Sequence, residues 1–173
     1  MTAPFDLTGK VALVTGGNVG LGQGIALALA EAGADIVSVA LSDSDDTVAK
    51  VKAMGRRAHA VSADLTSIEP VERVVQETLE AMGRIDILVN NAGLIRRADA
   101  VDFTEADWDL VMNINLKTVF FLSQAAARQM IAQGDGGKII NIASMLSFQG
   151  GIRVPSYTAS KSGVAGLTKL MAN

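Results

Sequence analysis

Tyr157 and Lys161 stand four residues apart, one helical turn, so their side chains share a helix face. Ser144 precedes the tyrosine by thirteen residues, just past the apolar run Lys138 to Ile142, which reads as a buried strand. A phenol titrates at about 10 and is a poor base at neutral pH. A cation within about 4–6 Å favours the phenolate. A hydroxyl, a phenol and an ammonium held together can therefore take a proton from an oxygen or return it. The plain alternative is an exposed helix pair with no chemical role.

The elements upstream look built to hold a nucleotide beside that group. Val11 to Val14 is a strand-like run that leads into Thr15-Gly16-Gly17-Asn18-Val19-Gly20-Leu21-Gly22, and a helical pattern follows from Gln23 to Ala32. Strand, glycine turn and helix start present unpaired backbone N–H groups to a phosphate. The glycines Gly16, Gly20 and Gly22 leave room for a pyrophosphate to approach, with Asn18 and Leu21 beside it. Glycine clusters also make ordinary tight turns, so this motif alone is weak.

The second strand, Asp35 to Ala40, ends at Leu41-Ser42-Asp43. An acidic residue that binds the adenosine ribose is expected about twenty residues past the glycines. Asp43 stands near that distance but can equally begin the next helix, from Asp45 to Met54. Neither Val19 nor the strand end supplies an Arg or Lys for a 2′-phosphate, which favours NAD over NADP. A third strand, Arg57 to Ser62, leads to Asp64-Leu65, where an adenine could rest; capping of a local turn by Asp64 fits equally well. Pro70 and Gly83 bracket an amphipathic helix.

Asp86 to Val89 forms a fourth strand, followed by Asn90-Asn91-Ala92-Gly93. Small and amide side chains there allow close passage of a ribose, with the amides bridging neighbouring strands. Arg96 and Arg97 come next, near the mouth of an open α/β site. Thr104-Glu105-Ala106-Asp107 reads as a capping box opening one long, largely apolar helix to about Gln133. That helix is expected to be buried, in part by another subunit. Asn115 inside it reads as a satisfied core amide or a functional one. Strands alternating with helices imply a parallel sheet covered on both faces.

Composition narrows the class. The 173 residues are 49% hydrophobic and 19% charged, as in a globular domain. A net charge of −3 leaves no footprint for nucleic acid. With no cysteine and the single histidine His59, thiol chemistry is excluded and a His-based metal site or triad has little scope. Val11 to Ala30 carries no charge, but five glycines plus Thr15, Asn18 and Gln23 argue against a membrane span. The opening residues lack a basic-then-apolar leader pattern, so a cytoplasmic protein is expected.

The glycine motif Thr15–Gly22, the Asn90–Gly93 segment, Asn115, and Ser144 with Tyr157-x-x-x-Lys161 together resemble the short-chain dehydrogenase/reductase family over nearly the whole chain. The resemblance implies one Rossmann-type, doubly wound parallel domain over residues 1–173 that binds a dinucleotide, expected here to be NAD. It implies Tyr157 as general base, Ser144 holding the same substrate oxygen, Lys161 also on the ribose hydroxyls, and Asn115 positioning a relay water. Asn91 to Arg97 and Ile140 to Gly163 are more narrowly similar to members acting on keto-deoxy sugar acids in hexuronate (pectin) breakdown. Arg96, Arg97 and Arg153 then become candidates for a carboxylate. A homo-oligomer, a tetramer in the family, is implied as well.

Two departures stand out. The ribose aspartate of many NAD-using relatives falls at Ala40. The family pattern also continues with two more strands and a closing loop beyond Asn173, so a chain truncated at its C-terminus is expected. Two other functions compete with the sugar-acid reading: a reductase of another polyol or a 3-oxo-acyl substrate, and a non-catalytic nucleotide-binding regulator.

Overall fold

The computed structural model describes residues 5–173. Five strands form one parallel sheet: β1 (Val11–Thr15), β2 (Asp35–Ala40), β3 (Ala58–Ser62), β4 (Ile87–Asn90) and β5 (Lys138–Asn141), in the order β3-β2-β1-β4-β5. The chain reverses direction across the sheet between β1 and β4. Open α/β sheets place their ligands in the crevice outside the strands' carboxyl ends at such a point.

Burial on both faces explains why β1 is apolar at four of its five positions, instead of alternating. Val11 and Leu13 pack into one core with Val37, Val74, Leu88 and Leu122, while Ala12 and Val14 join Ala26, Ile36, Val51 and Val89 in the other. The helices α1 (Gly20–Glu31) and α2 (Asp45–Ala53) cover this second face, and α3 (Val71–Met82) lies on the first. Pro70 precedes α3, and Gly83 ends it in the left-handed region at φ 85°.

The single long helix expected from Thr104 to Gln133 is interrupted. It consists of α4 (Glu105–Met112), a π-helical turn (Asn113–Lys117) and α5 (Thr118–Gln133). The wider turn shifts the register of side chains, and Asn115 becomes fully buried within it. Thr104 Oγ1 accepts from the Asp107 N–H at 3.2 Å, the N-cap bond of the expected capping box. The helix is also less buried than its composition suggested, since Trp108 remains 40% exposed.

After β5 come the short α6 (Leu146–Gln149) and α7 (Pro155–Ala172), which begins with its proline in the first turn. The β5 strand pairs with β4 alone among the described residues, and Ile140 is exposed on it. A cleft of about 640 Å³ lies beside this edge, lined by Met130, Ile139, Thr168 and Met171 among others. No helix among the described residues is long and apolar enough to cross a membrane.

Candidate active site

The glycine turn sits at the carboxyl end of β1, and α1 starts inside the motif at Gly20, three residues earlier than the spacing suggested. Gly16 adopts φ 63°, and a Cβ there would stand 2.9 Å from the Asn91 amide nitrogen. At Gly22 a Cβ would collide with the Gly16 carbonyl and with the same Asn91 amide. These two glycines are needed because the turn, α1 and the segment after β4 converge there.

Thr15 ties that convergence together. Its hydroxyl accepts the N–H groups of Asn91 and Ala92 at 3.0 and 2.9 Å and donates to the Val89 carbonyl. The Asn91 side chain returns across the strands to the Thr15 carbonyl at 2.9 Å. Asn90 bridges β4 to β5 through Asn141 at 2.8 Å and also reaches Ser123. The amides do bridge neighbouring strands as expected. The organising hydroxyl of Thr15 was not singled out from the sequence.

A cleft of about 520 Å³ runs along the carboxyl ends of the strands. Its walls include Gly16, Asn18, Leu21 and Gly22 from the turn, Asp64 and Leu65 beyond β3, and Asn91 to Gly93 beyond β4. The cleft therefore brings most of the expected nucleotide-binding residues together, with a glycine cradle that any Cβ would narrow. Gly20 is not in its wall. Asn18 donates to the Ser42 hydroxyl at 2.8 Å, linking the turn to the end of β2. Asp43 caps the Asp45 N–H and so belongs to the start of α2. Asp64 accepts from the Thr66 hydroxyl at 2.7 Å and its N–H at 2.9 Å, and these bonds hold its carboxyl below the usual range. It is a turn cap and a cleft wall at once.

A smaller recess of about 270 Å³ adjoins, lined by Leu21, Asn91, Gly93, Leu94, Ile95, Ile142, Tyr157 and Lys161. Leu21, Asn91, Gly93 and Leu94 belong to both spaces, so a molecule lying along the larger cleft can reach the tyrosine. Lys161 is buried, and its Nζ donates to the Ile142 carbonyl at 2.6 Å. The same nitrogen lies 5.7 Å from the centre of the Tyr157 ring. Desolvation pushes the lysine pKa down.

Ser144 is half-buried at the end of the β5 segment. Its hydroxyl accepts from the Leu146 N–H at 3.1 Å and makes no hydrogen bond to Tyr157 among the described residues. Asn115 clamps Leu94: its Oδ1 accepts the Leu94 N–H, and its Nδ2 donates to the Leu94 carbonyl, each at 2.9 Å. Its Nδ2 also reaches Ser160 Oγ at 3.3 Å, and Ser160 donates to the Tyr157 carbonyl at 2.9 Å. Its side chain is thus satisfied by protein partners, as a core amide would be, while it borders the backbone of both Leu94 and the Tyr157 turn. Its effect on the site runs through backbone position.

The three arginines differ. Arg96 pairs with Asp107 at 3.2 Å and Arg153 with Asp99 at 3.0 Å, both on the surface. Arg97 is exposed and has no ion-pair partner among the described residues.

A model of the short chain dehydrogenase family matches residues 10–173. The chain belongs to the short-chain dehydrogenase family. Members of this family close to it include 2-dehydro-3-deoxy-D-gluconate 5-dehydrogenase from Escherichia coli K12, 63% identical over 98% of this chain and 67% of its own length. The Bacillus subtilis enzyme of the same name is 52% identical over 98% of this chain and 66% of its own length. The chain thus spans about two thirds of the length of the curated relatives it matches. Among solved dehydrogenases, a provisionally named 2-deoxy-D-gluconate 3-dehydrogenase from Agrobacterium tumefaciens with bound NADP is 54% identical, with a TM-score of 0.89 over 98% of this chain and 67% of that one. These findings make the protein an oxidoreductase of the family, acting on CH–OH groups.

Proposed function

We propose that this dehydrogenase uses NAD to oxidise, or in reverse to form, a hydroxyl group on a deoxy sugar acid of the 2-deoxy-D-gluconate or 2-dehydro-3-deoxy-D-gluconate type. The observation that carries the reading is the Lys161 ammonium, buried 5.7 Å from the Tyr157 ring in a recess that opens from the glycine cleft.

The bound dinucleotide supplies the acceptor for hydride. Gly16, Asn18, Leu21 and Gly22 would hold it at the turn, Asp64 and Leu65 would receive its adenine, and Asn91, Ala92 and Gly93 its ribose, all walls of one cleft. Gly20 serves by opening α1 and leaving its first N–H groups unpaired. Tyr157 takes the proton of the substrate hydroxyl, and Lys161 favours the charge that this base must carry. Ser144 donates to the same substrate oxygen. Asn115 keeps Leu94, a wall of the recess, at its place. Arg97, which has no ion-pair partner among the described residues, receives the sugar-acid carboxylate. Arg96 and Arg153, each held through Nε by Asp107 and Asp99, keep further N–H groups and stand as the other candidates for that carboxylate.

NADP is the second reading of the cofactor. Ala40 provides no carboxylate to repel a 2′-phosphate, and the Agrobacterium relative was solved with NADP. With the sugar-acid reading we also propose a cytoplasmic homotetramer in hexuronate breakdown; sedimentation as a monomer would remove the tetramer.

The test is a fluorescence titration with NADH and NADPH, followed by turnover assays with sugar acids, polyols and 3-oxo-acyl substrates. Sugar-acid turnover that Tyr157→Phe abolishes without loss of NADH binding is expected. Nucleotide binding without any turnover would support the regulator, and turnover of only the other substrates would support the alternative reductase.

A further inference from the structure

The three reactive side chains sit on two separate pieces of chain. Ser144 belongs to the loop after β5, whereas Tyr157 and Lys161 belong to α7. Ser144 and Tyr157 share no direct hydrogen bond; Lys161 Nζ ties α7 to the Ile142 carbonyl, two residues before Ser144, and a second link reaches Ser144 itself. Ser147, in the short α6 between them, contacts both. Its hydroxyl accepts the Ser144 N–H at 3.3 Å and donates to the Lys161 carbonyl at 2.8 Å. Its own N–H closes the same turn on the Ser144 carbonyl at 3.1 Å. One hydroxyl thus links the backbone of the serine to that of the lysine.

We infer that Ser147 is a positioning residue, one that sets Ser144 at working distance from the Tyr157/Lys161 pair. This rests on the proposed roles of those three residues. A carbonyl inside a helix has a second lone pair, so Lys161 can accept the Ser147 hydroxyl while it remains in the helix ladder. Without that bond, α6 keeps a second tie to α7: Ser162 donates to the Ser147 carbonyl at 3.2 Å. The tie through Ser162 holds α6 near α7 and reaches Ser144 only through the Ser147 backbone, leaving the Ser144 N–H without its partner. The two serines therefore separate positioning of the loop from simple attachment of α6.

The experiment compares Ser147→Ala, Ser147→Thr and Ser162→Ala in the full chain, reading kcat, KM, NADH affinity and the pH profile of kcat. Ser147→Ala is expected to lower kcat about tenfold to a hundredfold, the upper figure being that of a catalytic group displaced by about 1 Å, with NADH affinity unchanged. It should also move the limb of the pH profile set by the base, because the hydrogen bond that steadies the substrate oxygen is lost. Ser147→Thr, which keeps a hydroxyl, is expected to restore most of kcat, and Ser162→Ala to leave it near wild type. If Ser147→Ala keeps the wild-type kcat and pH profile, or if Ser162→Ala matches it in both, the positioning role is overturned. A wild-type protein that binds NADH yet turns over no substrate would instead overturn the proposed function.

Discussion

Asn115 closes a two-bond ring with the backbone of Leu94, taking its N–H on Oδ1 and giving Nδ2 to its carbonyl, each at 2.9 Å. A buried helix side chain thereby replaces a missing strand partner for a loop that forms the wall of the reaction recess. Asn115→Ala removes the partner of both backbone groups of Leu94 in a part-buried place, which costs about 1–2 kcal/mol. Urea denaturation should show that loss, and nucleotide affinity should fall with it. Unchanged stability would mean that water replaces the amide.

Gly22→Ala is expected to damage the fold at the nucleotide cradle. Its Cβ meets the Gly16 carbonyl and the Asn91 amide, both held by several bonds, so neither yields easily. The loss is about 2–3 kcal/mol, in the range of overpacked sites, with NADH binding abolished. Gly24→Ala, at a position with open space around it, serves as the control and should bind NADH as wild type does.

Lys161 links pH to stability with a definite sign. Its pKa is lowered in the folded protein from an ordinary 10.5, because burial disfavours the ammonium. Between the folded and unfolded values the unfolded chain binds more protons, so stability rises with pH across that window. Below the folded value the penalty of burying the charge is present in full; as pH approaches 10.5 it is relieved. Lys161→Met should abolish turnover and flatten this contribution, read as denaturation midpoints from neutral to alkaline pH. An identical slope in wild type and variant would contradict the assignment.

Arg97→Ala should raise KM for a sugar acid by about tenfold to a hundredfold, as expected for loss of a charged hydrogen-bonding partner, with kcat little changed. Arg96→Ala and Arg153→Ala should change it less, since each is already paired with an aspartate. Steady-state kinetics of the three variants decide the matter: an unchanged KM in Arg97→Ala removes this residue from the substrate site.

Much of this protein is legible before any coordinates. Val11 to Val14, the glycine turn and the helical run after it declare a strand, a phosphate-type turn and a helix, because turn chemistry and burial are local properties. The spacing of Tyr157 and Lys161 likewise holds at once, since one helical turn is a local distance. Tertiary structure alone decided what the long helix does at Asn115, because the π-helical turn is stabilised by bonds to Leu94, distant in sequence. It also decided which of the three arginines are paired, because Asp107 and Asp99 reach Arg96 and Arg153 only once the loops are folded. Thr15 and Ser147 read as ordinary polar residues in the sequence. Their importance comes from the partners that the fold brings to a single hydroxyl: Asn91, Ala92 and Val89 in one case, Ser144 and Lys161 in the other.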